Sequence, residues 1–161
     1  EEPHDIIRRL TRFAVEDIGL ADPSALSQSI AAWQAFERIG SPEGELAIAQ
    51  CVIYLATAPK SNAAYKALSA AQKSADGSGS LMPPKHILNA PTRLMKEQGY
   101  GKGYDYDHDA EDAFSGQNYF PETMKRPVYY TPVDRGHERE LRKRVEFFSG
   151  LREKRRRGEG H

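Results

Sequence analysis

Four helical patterns follow one another over residues 1–76 with almost nothing between them. From Ile6 to Ile18 the apolar residues Ile6, Ile7, Leu10, Phe13, Ala14 and Ile18 recur at helical spacing, while Arg8, Arg9, Arg12, Glu16 and Asp17 fill the other side. Gly19 is the expected stop. Asp22 is placed to cap a second helix, with Pro23 at its first position, where a missing N–H costs nothing. Its stripe is Leu26, Ile30, Trp33 and Phe36, and Gly40 ends it. Ser41-Pro42 repeats the same start device for a third helix, Glu43 to Ala58. That helix is apolar on most sides from Leu46 onward and is expected at the centre of a bundle. Pro59 stops it. Ser61 then caps a fourth helix, whose Ala63, Ala64, Ala67, Ala70 and Ala71 allow close approach. Helices of about 14 to 17 residues are roughly 20–25 Å long, and short connections favour antiparallel neighbours.

The character changes at ADGSGSLMPP, a break of Gly, Ser and Pro. A short helix is predicted over Pro91–Gln98, with Gly99 as its left-handed cap. Residues 100–132 carry little helical periodicity and many aromatics, among them Tyr100, Tyr104, Tyr106, Phe114, Tyr119, Phe120, Tyr129 and Tyr130. A structureless loop of that length is unusual in a compact domain, and its aromatics suggest an irregular segment packed on the bundle or on a neighbouring subunit. Asp134 starts a charged helix with a narrow seam of Leu141, Val145, Phe148 and Leu151. The fold class is therefore all-α: an antiparallel helical bundle, a long irregular aromatic-rich segment and a C-terminal charged helix. As one structural domain, it divides into a bundle core (1–76), a short helix with a Gly/Tyr-rich segment (77–133), and a basic helix and tail (134–161).

Composition narrows the function classes. The 161 residues are 39% hydrophobic, enough for one domain that buries roughly two-thirds of its unfolded surface. Lys+Arg and Asp+Glu are 23 each, which argues against a binder acting through bulk charge. The single cysteine, Cys51, excludes an intramolecular disulfide and a thiolate zinc site, and its apolar setting in AIAQCVIYL suits an inert buried thiol. No apolar run approaches the roughly 18 residues of a membrane span, and no signal-peptide pattern opens the chain. The expectation is a soluble, cytoplasmic protein without a membrane partner. The opening EEPHDIIRRL enters a helical pattern at once and lacks an initiator Met, as expected of a piece of a longer protein.

The stretch NAPTRLMKEQGYGKGYDYDHD (89–109) is the strongest candidate for a ligand loop. A P-loop needs a Ser or Thr after its lysine to hold magnesium, and Lys102 is followed by Gly103. Gly99, Gly101 and Gly103 are evenly spaced, unlike the dinucleotide fingerprint, and no strand pattern precedes them. Asp105, Asp107 and Asp109 match the first, third and fifth positions of an EF-hand loop, but Ala110 stands at the required glycine and Gly116 at the bidentate glutamate. A solvated acidic turn is the preferred reading, and no metal or cofactor is assigned. His4, His86, His108, His137 and His161 form no metal-protease pattern, no nucleophile elbow is present, and no catalytic residue is assigned. The basic run Arg152, Lys154, Arg155, Arg156 and Arg157 is a candidate DNA contact. Against it stands the reading of a solvated helix end, because the tail itself lacks interleaved aromatics for stacking on single strands.

Taken in order, RRLTRFAVEDIGLADP, WQAFERIGSPEGELAIAQCVIYLATAPKSNAAY, HILNAPTRLMKEQGYGKGYDYDHD, YFPE, YYTP and DRGHE resemble the C-terminal portion of one family. It is the RarA/MgsA family of replication-associated recombination AAA+ ATPases, related to the Werner-helicase-interacting protein. The resemblance implies a parent similar to clamp-loader subunits that acts at stalled or gapped replication forks. Its ATPase module, with ATP and magnesium, is expected before Glu1. It also implies a helical C-terminal portion that assembles subunits, with a homotetramer as the family's form. DNA and replication-fork proteins would be partners of the full-length protein, in a nucleoid-associated cytoplasmic location. Asn89, Ala90, Pro91, Thr92, Leu94, Met95, Lys96, Gly99, Tyr100, Gly101, Lys102, Gly103 and Tyr104 match the family's signature, and Leu88 stands where the family usually carries arginine, with Lys85 nearby. Trp33, His86, Asn89, Pro91, Lys96 and the stretch Gly99 to Tyr104 are the candidate assembly and structural residues. The alternative is a monomeric DNA- or protein-docking module tethered to the ATPase. A weaker third reading, an independent enzyme, has no motif to support it.

Overall fold

The computed structural model describes residues 2–158; Glu1 and residues 159–161, including His161 and the end of the predicted tail, lie outside the described residues. All regular structure among them is helical: α1 (Pro3–Phe13), α2 (Ser24–Ile39), α3 (Glu45–Thr57), α4 (Ala63–Ser78), α5 (Arg93–Glu97) and α6 (Glu138–Arg156), with short 3-10 turns between. The chain divides into two compact units. The first holds residues 1–73 and 129–144, the second residues 74–128 and 145–161.

In the first unit α1, α2 and α3 pack on one another. Ala14, Ile18, Ala25, Ala32, Cys51 and Leu55 form one apolar cluster, and Ile7, Phe36 and Ile48 a second. Burial pushes the Cys51 thiol up, which suits an inert core residue. At the start of α1, His4 lies edge-on to Phe36 at 5.2 Å and its Nε2 is 2.6 Å from Glu37 Oε1, tying α1 to the end of α2. Asp22 caps α2, its Oδ1 accepting the Ser24 N–H at 3.0 Å and its Oδ2 the Tyr54 hydroxyl at 2.6 Å.

Four local expectations change. The first helix starts three residues early, at Pro3, and its last turn, Ala14–Ile18, is π-helical. Ser41-Pro42 does not open α3. Its peptide is cis, residues 41–44 form a turn, and α3 begins at Glu45. α3 is not central: Ile48, Cys51 and Leu55 face inward, whereas Leu46 is 74% and Ile53 67% exposed. Among its described residues the alanine-rich α4 buries only Ala63, and it runs through Gly77 to Ser78, into the predicted break. Small side chains permit close packing, but they supply little apolar area to drive it.

The C-terminal segment enters this unit through a buried carboxylate. Glu138, fully buried, accepts the Ser61 hydroxyl at 2.6 Å and the Val133 N–H at 2.7 Å. Its neighbour Gly136 has φ +52°, and a Cβ there would meet the Ala21 carbonyl oxygen at 2.1 Å, so only glycine fits. The His137 N–H donates to that same carbonyl at 2.8 Å. The helix thus starts at Glu138 and not at Asp134, which instead pairs with Arg139 at 3.2 Å.

The second unit is built differently. α5 is capped by Thr92, whose hydroxyl accepts the Met95 N–H at 3.3 Å. The rest is turns and hydrogen-bonded loops leading to the later part of α6, Val145–Arg156.

Candidate functional site

The glycine-tyrosine stretch is a loop clamped by its own backbone. Gly99, Gly101 and Gly103 all have positive φ, at +84°, +72° and +79°, a conformation that side chains with a Cβ adopt only with strain. Alternating them with Tyr100 and Lys102 lets the chain turn repeatedly. The Gly101 N–H donates to the Lys85 carbonyl at 2.8 Å, which fastens the loop to the residues before the signature. Gln117 fastens its far end: Nε2 donates to the Gly103 carbonyl at 2.7 Å and Oε1 accepts the Asp105 N–H at 3.2 Å.

The acidic run is tied up in the same manner. Asp107 accepts the Ser115 N–H at 2.8 Å, and its carboxyl is held below the usual carboxylate range, chiefly by hydrogen bonds from Ser115. Tyr106 lies against His108 at 5.0 Å. Among the described residues, no group of three or more His, Cys, Asp or Glu is placed to hold a metal ion. The Gly99, Tyr100, Gly101 and Lys102 amides donate within the chain, to the Lys96, Met95, Lys85 and Gly99 carbonyls.

The predicted site residues fall in both units. Trp33, half-buried on α2, packs on the Ile7–Phe36–Ile48 cluster and its Nε1 donates to Glu37 at 3.2 Å. It also floors an apolar groove of about 550 Å³ with Val15, Ala64, Tyr65 and Leu68, rimmed by Arg8 and by the ion pair of Arg12 and Glu16. The signature residues lie in the second unit. There Tyr100 is half-buried, whereas Asn89, Pro91, Lys96, Lys102 and Tyr104 are exposed. His86 stacks near Tyr119 at 6.1 Å, and its buried Nε2 meets no hydrogen-bond partner.

The basic tail divides. Arg156 and Arg157 both pair with Glu153, at 2.8 and 3.2 Å, and Lys154 is exposed. Arg152 and Arg155 instead lie over Phe114, their guanidinium carbons 5.1 and 5.7 Å from the centre of its ring. Phe114, remote in sequence, is thus the ring partner of these two arginines.

Two features escaped the sequence reading. One is the buried Glu138, whose partner Ser61 is 77 residues away, so no local pattern could link them. Tyr130 lies near the same carboxylate but outside hydrogen-bond geometry. Burial first, and then the Glu138 charge, push its phenol up to about 12. The other is the exposed face of α3. Leu46, Ala49, Val52, Ile53 and Ala56 share it and are all exposed. In the sequence these residues read as core, because apolar content alone does not say which side is covered.

Among the described residues the fold is thus an all-helical module, exposing an apolar helix face in one unit and a clamped loop in the other. The chain belongs to the family described as MgsA AAA+ ATPase C terminal, whose model matches residues 1–149. It is 50% identical over 153 residues to replication-associated recombination protein A of Coxiella burnetii, covering 94% of this chain and 35% of that protein. Identity to the Escherichia coli K12 protein of the same name is 45% over 149 residues, or 92% of this chain and 33% of the relative. The ATPase WRNIP1 of Dictyostelium discoideum is 43% identical over 130 residues, 80% of this chain and 15% of the relative. The chain therefore spans about a third of the length of these two bacterial relatives. No helix among the described residues is long and apolar enough to cross a membrane.

Proposed function

We propose that this chain is the self-assembly module of a AAA+ ATPase that acts in DNA replication, recombination and repair at stalled forks. The observation that carries the reading is the exposed face of α3. Isolated exposed apolar residues are ordinary, but Leu46, Val52 and Ile53 lie together on one helix with Ala49 and Ala56. A contiguous apolar patch of that kind marks an interface. A second copy of the chain is its occupant, and the four-fold stoichiometry follows the family resemblance. ATP and magnesium are assigned to the parent's ATPase module, which the subunits would hold around DNA, with replication-fork proteins as further partners. The clamped loop from Gly99 to Tyr104, with Tyr104 exposed, is a second candidate contact.

The test is the solution mass of the chain carrying Leu46→Arg and Ile53→Arg, by light scattering behind size exclusion, with circular dichroism to confirm helicity. The variant is expected to be a folded monomer where the unaltered chain is a tetramer. An unchanged tetramer would remove α3 as the interface. A monomeric unaltered chain would favour the tethered docking module.

A further inference from the structure

The exposed face of α3 carries a pattern of its own. Leu46, Ala49, Ile53 and Ala56 follow one another at intervals of three, four and three residues, and all four are exposed. That spacing makes the seam of a two-helix coiled coil. Ile48, Cys51 and Leu55 take the other side of the helix, into the core, so the seam is not shared with it. Along the seam large and small side chains alternate, and Ala49 and Ala56 leave room for a second backbone to come close.

The alternation distinguishes the two ways in which a second copy can lie on this face. In a parallel pair Leu46 meets Leu46 and Ala49 meets Ala49, so two layers crowd and two are left thin. In an antiparallel pair, about a two-fold axis level with Cys51, Leu46 meets Ala56 of the partner subunit and Ala49 meets Ile53 of the partner subunit. Every layer then sets a large side chain on a small one, which is how close packing is reached. Charge points the same way. The exposed Glu43 and Glu45 stand at the start of α3. Lys60 stands just beyond its end, where Nζ donates to the Leu55 carbonyl at 2.9 Å. An antiparallel pair brings the acidic end to the lysine end, whereas a parallel pair brings like charges together.

We infer that two copies pair antiparallel through α3, Leu46 on the small Ala56 and Ile53 on the small Ala49, as the two-fold unit from which the assembly is built. The inference rests on the self-assembly reading and adds to it an orientation and a register. A two-fold contact of this kind is self-complementary and closes on itself. It uses up the seam of both copies, so a tetramer needs a second, different contact to join two such pairs.

The test is disulfide trapping in a Cys51→Ala background, with Ala49→Cys and Ile53→Cys made in separate, differently tagged chains. Oxidised glutathione is added to each chain alone and to the co-expressed pair. The co-expressed pair is expected to give about tenfold more crosslinked dimer than either chain alone, because only facing positions come within disulfide reach. A size exchange gives a second readout without cysteine. Ala49→Ile should weaken association by about tenfold through overpacking, and adding Ile53→Ala in the same chain should restore it. Both substituted positions are exposed, and circular dichroism confirms that the variants are helical. Self-crosslinking of each single variant, in preference to the mixed pair, would overturn the antiparallel register and leave self-assembly standing. An assembled mass without any crosslink would overturn the pairing and move the interface off α3. A monomer at every concentration would overturn both readings.

Discussion

The two units of this chain keep their order by different means. In the first, Ile7, Ile18, Ala25, Cys51 and Leu55 are almost wholly removed from water, and even the polar Ser29, Ser61 and Glu138 are buried. In the second, every residue of α5 is exposed, and the loop around it depends on left-handed glycines, Gln117, the Asp107–Ser115 contact and arginines stacked on phenylalanine. The first unit is a solvent-excluding core, and its stability scales with buried apolar area. The second is a hydrogen-bonded surface, where each contact contributes little and shape is what is gained. The residues of the glycine-tyrosine loop are not those that hold the core.

Substitutions can break or sharpen this contrast. The largest effect is expected from Leu55→Ala, which leaves a cavity in the main cluster and costs about 3–5 kcal/mol in denaturant unfolding. Glu138→Ala should follow at about 2–4 kcal/mol, because it orphans the buried Ser61 hydroxyl and the Val133 N–H. In the second unit, Gln117→Ala removes the clamps on Gly103 and Asp105 and should cost only about 1 kcal/mol. A loss as large as that of Leu55→Ala would show that the second unit also has a cooperative core. A pH effect separates the two further. The Tyr130 phenol is raised to about 12 in the fold, above its ordinary value of about 10. Its contribution is complete below about pH 10 and is lost as the pH rises towards 12. Tyr130→Phe should flatten that alkaline step in thermal melts. The smallest effect belongs to Asp107, held low by Ser115. Its contribution is present above the ordinary carboxylate range and fades as the pH falls below it. Asp107→Asn should abolish this acid dependence, read from the Ser115 amide resonance, while leaving neutral-pH stability almost unchanged.

Much of the first unit is legible in the sequence, because the periodicity of Ile7, Leu10 and Ala14, or of Ile48, Cys51 and Leu55, is a local signal that survives in the fold. What periodicity does not carry is which neighbour arrives. The pattern of α3 reads as central because nothing in it distinguishes Ile48, which packs inward, from Ile53, which faces solvent. Ser41-Pro42 has the composition of a helix start and forms a cis turn instead. The positive-φ turns at Gly99, Gly101 and Gly103 follow from residue type, since glycine alone enters that region freely. The pairings of Glu138 with Ser61 and of Phe114 with Arg152 join residues far apart in the chain, and no local pattern announces them.

Self-assembly through α3 is the central claim, and the solution mass of the unaltered chain across protein concentration tests it most directly. A tetramer that persists on dilution, and that dissociates when Leu46 and Ile53 become arginine, is the predicted result. A monomer at every concentration, with helicity intact, would contradict it.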